Sequence, residues 1–234
     1  MSGRTIARVF FIIAGVIVVA AGSFLAYIWF SGGSGEPSAG AEATALEPER
    51  VDAVVYEVAS DRSEARFLIE EVLRGVENTV VGTTNQIDGS LAVDFASGEI
   101  EVGEFVINVR TIATDDEIRD RTIRTLILES NQDEYEFAVF TPVRDTADFD
   151  GLAVGQVASF QVTGDLTIRD VTSRVTFTMS VALDSEEAIT GRASTTISWD
   201  DFDITIPYVG GNSIVASVGD TVDLEMEFAG VARE

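Results

Sequence analysis

Hydrophobic and polar residues alternate along most of the chain after residue 53. In the segment 63–71, Ala65, Phe67 and Ile69 fall on one face, and charged residues fall between them. A period of two is typical of strands with one dry and one wet face, and this one-sided polarity favours antiparallel pairing. The pattern predicts strands at 54–58, 63–71, 79–84, 87–95, 104–111, 137–143, 157–166, 175–182, 189–199 and 222–228.

One segment, 114–130, departs from this alternation and has helical character. Thr114 and Glu117 have the spacing of a capping box, and Asp115 and Asp116 suit the positive end of a helix dipole. A sheet of eight to ten strands must close or stack to hide its dry face. The pattern therefore predicts a mainly β fold, either a barrel or a sandwich, with one short helical insertion.

An uncharged stretch, 9–30, precedes the strands. As a helix rising ~1.5 Å per residue it is long enough to cross a bilayer core of ~30 Å. A cleaved signal peptide is the alternative, but its apolar core is usually only ~7–15 residues long. Because the flanking basic residues, Arg4 and Arg8, lie before the stretch, we expect a single-pass anchor in the cell membrane. Residues 1–8 are then cytoplasmic and the rest is extracytoplasmic.

The next segment, 31–50, is rich in Gly, Ser, Ala, Glu and Pro and has almost nothing to bury. Its composition predicts a flexible linker. The folded domain is then 51–234.

Charge is distributed very unevenly between these parts. The chain has 40 Asp and Glu against 15 Arg and no Lys, a net charge of −25. All 40 acidic residues and 13 of the Arg follow residue 35, so the outer part carries −27. Such an acidic excess favours solubility. Nucleic-acid binding needs a positively charged surface, which this composition does not provide. We expect no nucleic-acid partner.

The chain contains no Cys and no His. Disulfides, thiolate zinc sites, cysteine nucleophiles, Ser–His–Asp triads and imidazole metal ligands are therefore excluded. Chemistry based on carboxylates alone remains open, but most acidic residues in the predicted strands fall on the wet face. We therefore expect no enzymatic activity, no cofactor and no metal site.

The dry face leaves one question open. A barrel of eight strands can be packed solid, or it can hold one small ligand. Alternation does not distinguish the two, because both need an apolar interior.

Several motifs occur in a specific order along the domain. The segment 88–140 contains a Gly-containing turn, a strand ending in a Thr pair, the dipeptide Arg119–Asp120, a helix, and a Tyr before a strand ending in Phe. The segment 162–177 is VTGDLTIRDVTSRVTF, and 197–204 is ISWDDFDI. In order and spacing these motifs resemble the YceI family.

The resemblance covers roughly residues 54–231. It implies a lipocalin-like antiparallel barrel of about eight strands that binds a long apolar amphiphile in its lumen. Together with the anchor, it suggests a membrane-tethered protein that carries or stores a polyisoprenoid, a quinone or a similar lipid. The alternative is a non-catalytic envelope domain with a packed core that contacts protein partners. Because barrels of this family often pair, a homodimer is also an expectation.

The dry-face positions become candidates for lining the lumen. Arg119 and Asp120 are candidates for a polar gate or, in the interpretation we favour, for an ion pair that pins the helical insertion to the barrel. The lining candidates are Ala65, Phe67, Ile69, Phe105, Ile107, Val109, Phe140, Phe160, Val162, Phe177, Met179, Leu224, Met226 and Phe228.

Five positions depart from the family pattern. Arg62 and Glu71 stand where members often have His, and Glu136 stands where Pro is usual. Asp170 and Asp203 replace Gly, which is a mild change because Asp tolerates left-handed backbone geometry. The loss of both His positions argues against any role that needs an imidazole.

Overall fold

A computed structural model describes residues 22–143, 147–149, 151–207 and 215–233. The described residues form a mainly β structure. Its strands are β1 Val54–Val58, β2 Glu64–Leu73, β3 Val76–Thr84, β4 Ile87–Asp94, β5 Glu99–Asn108, β6 Phe137–Pro142, β7 Ala147–Asp148, β8 Val157–Ile168, β9 Val171–Leu183, β10 Ala188–Ser198, β11 Val215–Val218 and β12 Thr221–Ala232.

Eight strands close into an antiparallel barrel. Their order is β1-β4-β5-β6-β8-β9-β10-β12, and β12 pairs again with β1. The predicted barrel is therefore confirmed, and closure is what hides the dry face. Of the remaining strands, β2 pairs with β12 and forms a hairpin with β3, while β7 and β11 are short additions to β5 and β2.

The strands β1 and β2 are two parts of one interrupted strand. Both pair with β12, β1 through Tyr56 opposite Ala232 and β2 through Phe67 opposite Leu224. A 3-10 turn, Ser60–Arg62, separates them. The hydroxyl of Ser63 bridges the break, since it accepts from the Ala229 N–H at 3.1 Å and donates to the Ala59 carbonyl at 2.8 Å.

The end of the barrel at β1 is packed solid. Tyr56, Leu91, Ile100 and Leu183 have no exposed surface. The Tyr56 hydroxyl donates to the Glu186 carbonyl at 2.9 Å, and burial together with the Glu186 charge raises the pKa of this phenol. Large side chains meeting across the barrel leave no space at this end.

The helical insertion crosses the other end of the barrel. It consists of a helix, Glu117–Thr122, followed by a π-helical turn, Ile123–Ile127. We call residues 117–128 the lid. The predicted capping box is wrong, because Asp116 caps the helix by accepting from the Ile118 and Arg119 N–H groups, both at 2.9 Å. Thr114 instead donates its N–H and hydroxyl to Asp120, at 2.7 and 2.6 Å.

The segment predicted to be a flexible linker lies along the barrel wall. Its backbone N–H groups donate to wall carboxylates, Ser38 to Glu136 at 2.9 Å and Ala43 to Asp88 at 2.7 Å. Arg50 pairs with Glu99, and Thr44 and Glu49 donate to other glutamates of the wall. Composition predicts how much a segment can bury, but the acidic wet face binds this segment through hydrogen bonds.

Glu136, one of the departures from the family pattern, is the most buried of these carboxylates. Its side chain has no exposed surface. It accepts from Ser38 and from the Asn108 amide, the latter at 2.7 Å, and lies 3.0 Å from the Arg110 guanidinium. Burial raises the pKa of the Glu136 carboxyl, but the hydrogen bonds from Ser38 and Asn108 and the charge of Arg110 together hold that pKa below its ordinary value.

Most of the predicted membrane span, 9–30, lies outside the described residues. From residue 22 to residue 31 the chain is helical. No helix in the described ranges combines the length and the apolar character needed to cross a bilayer. The anchor therefore stays a prediction.

Glu136→Gln is expected to destabilise the protein at pH 7, because it leaves Arg110 without its buried charge partner. We expect the free energy of unfolding to fall by roughly 1–3 kcal/mol, measured by denaturant unfolding of the full chain in mild detergent. The folded pKa of Glu136 lies below its ordinary value of 4.5. The stabilisation is therefore full well above that value and is lost as the pH falls through the folded pKa, so wild type and variant should converge in acid.

Glu134→Gln is the matched control, since Glu134 is two residues away and exposed. It should change the free energy of unfolding by less than about 0.5 kcal/mol. A difference between wild type and Glu136→Gln that stays constant down to acidic pH would contradict the role of the charged carboxylate.

Candidate functional site

The lid end of the barrel contains a cavity of about 400 Å³. Its walls are β2, β3, β5, β6, β8, β9, β10 and β12, mainly through their dry faces, and its roof is the lid together with the segment 199–207. A volume of this size lies within the range of about 300–1,000 Å³ that is typical of small-molecule sites. Among the described residues, 35 line the cavity, and six of them are polar or charged. The barrel is therefore solid at one end and hollow at the other.

Most of the predicted lining residues surround this cavity. They are spread over strands on all sides of the barrel, as expected if one face of each strand points inward. Those that line it are Ala65, Phe67, Ile69, Phe105, Ile107, Val109, Phe140, Phe177, Met179, Leu224 and Met226.

The other three predicted lining residues, Phe160, Val162 and Phe228, belong to the packed core. Val162 has no exposed surface. The Phe228 ring lies 5.9 Å from that of Phe105, and the Phe160 ring lies 6.1 Å from that of Phe149. Their inward parity is correct. Parity, however, fixes the face on which a residue lies and not its height along the barrel axis, which decides between core and cavity.

The cavity stays open partly because phenylalanine rings lie against glycines of the neighbouring strand. Phe67 is directly opposite Gly82, where an added Cβ would lie 2.2 Å from the ring. Phe105 is opposite Gly89, where a Cβ would lie 2.6 Å from the ring. Both rings thus occupy space that a neighbouring side chain would otherwise fill. A glycine at these positions lets a large ring line the wall without filling the lumen.

The lid supplies lining residues that the strand pattern does not predict. Ile118, Ile123 and Ile127 face the cavity, with Thr122 and Leu128 beside them. Ile118 and Thr122, and likewise Ile123 and Ile127, are four residues apart, which is the spacing of neighbours on one helix face. Helical periodicity within 114–130 was the signal that could have identified them.

The second part of the roof begins with a 3-10 turn, Trp199–Phe202. The turn ends at Asp203, whose φ of 50° and ψ of 33° are left-handed. Asp203 therefore adopts the geometry that its replacement of Gly requires. After this reversal Ile204 and Ile206 line the cavity. The Trp199 indole also lines it and donates to the Gly219 carbonyl at 2.9 Å.

Further lining positions lie on the strands and their ends. Several have the inward parity of their strand and were not singled out from the sequence. These residues are Arg66, Glu71, Leu73, Val80, Thr84, Ile112, Ala138, Leu166, Ile168, Ala193, Ile197, Pro207, Val218, Val222 and Glu225.

One lining carboxylate lies on the inward parity of β2. Glu71, which replaces a family His, is 8% exposed, and its Oε1 accepts from the Asn78 amide at 3.0 Å. The Arg119 guanidinium lies 3.4 Å from the same oxygen. Asn78, Glu71 and Arg119 therefore form a polar group where the lid meets the wall. Inward parity combined with charge could have identified Glu71 from the sequence.

Arg119 links the lid to the barrel, but its partner differs from the prediction. It pairs with Glu71 of the wall and with Asp115, whereas Asp120 binds Thr114. Consecutive residues on a helix point in different directions, so Arg119 and Asp120 do not face each other. The proposed Arg119–Asp120 pair is therefore wrong, and the Arg119–Glu71 pair takes its place.

The composition of this site suits an apolar ligand. Where the structure describes the chain, no group of three acidic side chains is placed to hold a metal ion. The two carboxylates of the lining each pair with Arg, Glu71 with Arg119 and Glu225 with Arg66 at 2.7 Å. What remains is a large apolar wall, with a few hydrogen-bonding groups near the lid that could orient a polar head.

The comparisons with known proteins agree with this fold. A family model, the YceI-like domain, matches residues 56–229. A polyisoprenoid-binding domain from Saccharophagus degradans, implicated in plant cell wall breakdown, is 18% identical with a TM-score of 0.55, covering 76% of this chain and 98% of that one. BcnA from Burkholderia cenocepacia is also 18% identical with a TM-score of 0.55, over 74% of this chain and 98% of its own.

No curated protein matches the chain significantly. At 18% identity the two solved structures show a shared fold. The family match includes every strand of the closed barrel, at least in part. The chain belongs to the family of YceI-like domains.

Proposed function

We propose that this protein is a membrane-tethered, extracytoplasmic binding protein that holds a long apolar amphiphile for carriage or storage. The ligand class is a polyisoprenoid, a quinone or a similar lipid. The observation that carries the proposal is the apolar cavity. A barrel of eight strands can be packed throughout, but this one is hollow at the lid end.

The lining favours a long apolar chain over a polar metabolite. Every Å² of apolar ligand surface removed from water contributes about 25 cal/mol. The mostly apolar wall provides this hydrophobic free energy along its whole length. It has few hydrogen-bonding or charged groups for a ligand rich in hydroxyls or charges. Met179 and Met226 add flexible side chains that adapt to the branches of an isoprenoid chain.

The polar group at the lid suits the head of such an amphiphile. The positive charge of Arg119 is already matched by Glu71 and Asp115. These paired charges suit a hydroxyl or a carbonyl head better than a phosphate, which needs unmatched positive charge. The likeness to a polyisoprenoid-binding domain supports the same ligand class.

Tethering and location follow from the sequence. The uncharged stretch 9–30 with Arg4 and Arg8 before it supports an anchor whose barrel is extracytoplasmic. The paired carboxylates of the cavity support a non-enzymatic role. The homodimer expected from the resemblance stays a prediction.

Ala193→Phe is expected to displace the ligand, because Ala193 lines the cavity and a phenyl ring there would occupy part of it. We expect affinity for a fluorescent polyprenol to fall about tenfold. Such a loss equals about 1.4 kcal/mol, or roughly 55 Å² of lost apolar contact. The lipid that copurifies with the full chain, extracted and identified by mass spectrometry, should fall in parallel.

Ser194→Phe is the matched control, since Ser194 is the next residue of β10 and is exposed on the outer face. Lipid held by detergent or by the anchor is equal in both variants, so the difference between them isolates lipid in the cavity. Equal lipid and equal affinity in Ala193→Phe, Ser194→Phe and wild type would refute the proposal and favour a non-catalytic envelope domain that contacts protein partners.

Arg119→Gln tests whether the lid opens to admit ligand. The Arg119–Glu71 pair holds the lid to the wall, so its loss should accelerate binding and release of the polyprenol by similar factors. A partly shielded pair worth about 1 kcal/mol predicts about a fivefold increase in both rates with little change in Kd. Stopped-flow fluorescence measures both rates.

Arg174→Gln is the control for these rates, because Arg174 pairs with Asp165 on the outer wall, 2.9 Å away. It should leave both rates unchanged. An Arg119→Gln variant with wild-type rates would show that ligand does not enter past this pair.

A further inference from the structure

The helical residues 22–31 end against the lid. Ile28 is 3% exposed, whereas Trp29 and Phe30, which follow it, are 50% and 84% exposed. One side of this helix is thus buried against the protein, and other apolar side chains of the same helix are exposed.

Two arginines of the lid hold the end of this helix. The Arg121 guanidinium lies 4.0 Å from the centre of the Trp29 ring, and its Nη1 donates to the Gly33 carbonyl at 2.7 Å. Arg124, which is buried, donates from Nε to the Gly32 carbonyl at 2.9 Å. The last carbonyls of a helix lack partners within the helix, and arginine is well suited to satisfy them. The end of the helix and the lid therefore form one unit.

This attachment places the N-terminal helix at the hollow end of the barrel. The same lid that binds Gly32 and Gly33 contributes Ile118, Ile123 and Ile127 to the roof of the cavity. Residue 30, the last of the uncharged stretch, therefore lies at the roof of the cavity and not at the packed end.

The uncovered side chains at this position are suited to a membrane interface. They include aromatic residues, and Tyr and Trp favour the boundary between lipid and water. The exposed valines near the packed end are scattered aliphatic residues, which are normal on a soluble surface. The exposed apolar residues of the helix and lid are Leu25, Tyr27, Trp29, Phe30 and Ile118.

We infer that the lid and the helix end lie on the phospholipid bilayer that holds the uncharged stretch, so that the roof of the cavity faces the lipid leaflet. The inference rests on the proposed function and specifies the surface from which the ligand comes. The lid carries acidic residues beside its arginines, namely Glu117 and Asp120, and Asp116 directly precedes it. The contact therefore depends on apolar burial, and a zwitterionic phosphatidylcholine leaflet suits it.

The absence of Cys makes a site-specific test direct, because one introduced Cys carries the only label. Glu117→Cys places an environment-sensitive fluorophore on the lid, at an exposed residue outside the cavity lining. Val157→Cys is the matched control. Val157 is 65% exposed and begins β8, whose other end, Ile168, lines the cavity. About 12 residues of tilted strand separate the two ends of the barrel by roughly 30 Å.

Each labelled full chain is reconstituted into phosphatidylcholine vesicles, with and without lipids that carry a spin label near the headgroup. The inference predicts that the spin-labelled lipids reduce fluorescence at residue 117 about twofold, because an interfacial element lies within ~5–10 Å of the headgroup–acyl boundary. Fluorescence at residue 157 should be unchanged. Equal quenching at both positions, quenching at neither, or recovery of the chain apart from the vesicles would each overturn the inference.

The two arginines provide a second measurement. In the Glu117→Cys chain, Arg121→Gln with Arg124→Gln should bring quenching down toward the level at residue 157, because the helix end no longer holds the lid. Arg174→Gln, on the outer wall, should leave the quenching intact. Circular dichroism shows whether the double variant keeps its β structure. If it does not, the inference is tested only by comparing the quenching at residues 117 and 157.

Failure of this inference is distinguishable from failure of the proposed function. Lipid that Ala193→Phe removes, without quenching at residue 117, would leave the binding function intact and refute only the orientation. Quenching at residue 117 without such lipid would support the orientation and refute only the proposed function. A second copy of this chain or another protein on the lid would shield the label from the lipids and would likewise overturn it.

Discussion

Closure of the barrel at β12 is the interaction on which the rest of the structure depends. This strand pairs with β10 along its length and, on its other side, with β1 near Ala232 and with β2 near Leu224. A sheet closed in this way leaves its apolar face no contact with water and spares the ring of strands an exposed edge. Because β1 and β2 share one partner strand, the packed end and the cavity end are held in a single ring. The walls of the cavity therefore need no second sheet, and only its end is covered, by the lid and the segment 199–207.

Alternation was sufficient to predict an antiparallel sheet that closes or stacks, since each strand needed only one apolar face, and the resemblance to the family selected the barrel. Alternation also placed residues such as Phe67 and Met179 correctly in the cavity wall. It could not separate Phe105 from Phe228, because both have inward parity and only their height differs. The hollow end further depends on which residue lies opposite, as with Gly82 beneath Phe67. Such cross-strand neighbours come from register, which a one-dimensional pattern does not contain.

Two departures from the family pattern have related roles in this chain. Glu136 binds Ser38 of the N-terminal segment, and Glu71 binds Arg119 of the lid. Each carboxylate thus attaches a non-barrel element to the barrel wall. The composition of 31–50 predicts a free linker because it counts only apolar area. An acidic wall in reach of backbone N–H groups binds even such a segment, and the position of the helix end at the lid becomes well defined.

A defined position matters because of the cost of moving a lipid through water. Each CH₂ group exposed to water costs about 0.8 kcal/mol, so a chain of ~20 carbons would face a barrier of about 16 kcal/mol. A barrel tethered by a free linker would have to extract its ligand across an aqueous gap. With Arg121 and Arg124 holding the roof against the end of the N-terminal helix, the proposed orientation would let the lipid chain pass from leaflet to cavity with little of its surface exposed at any time. In the proposed orientation, the short attachment between helix and lid would keep an apolar ligand out of water while it enters the cavity.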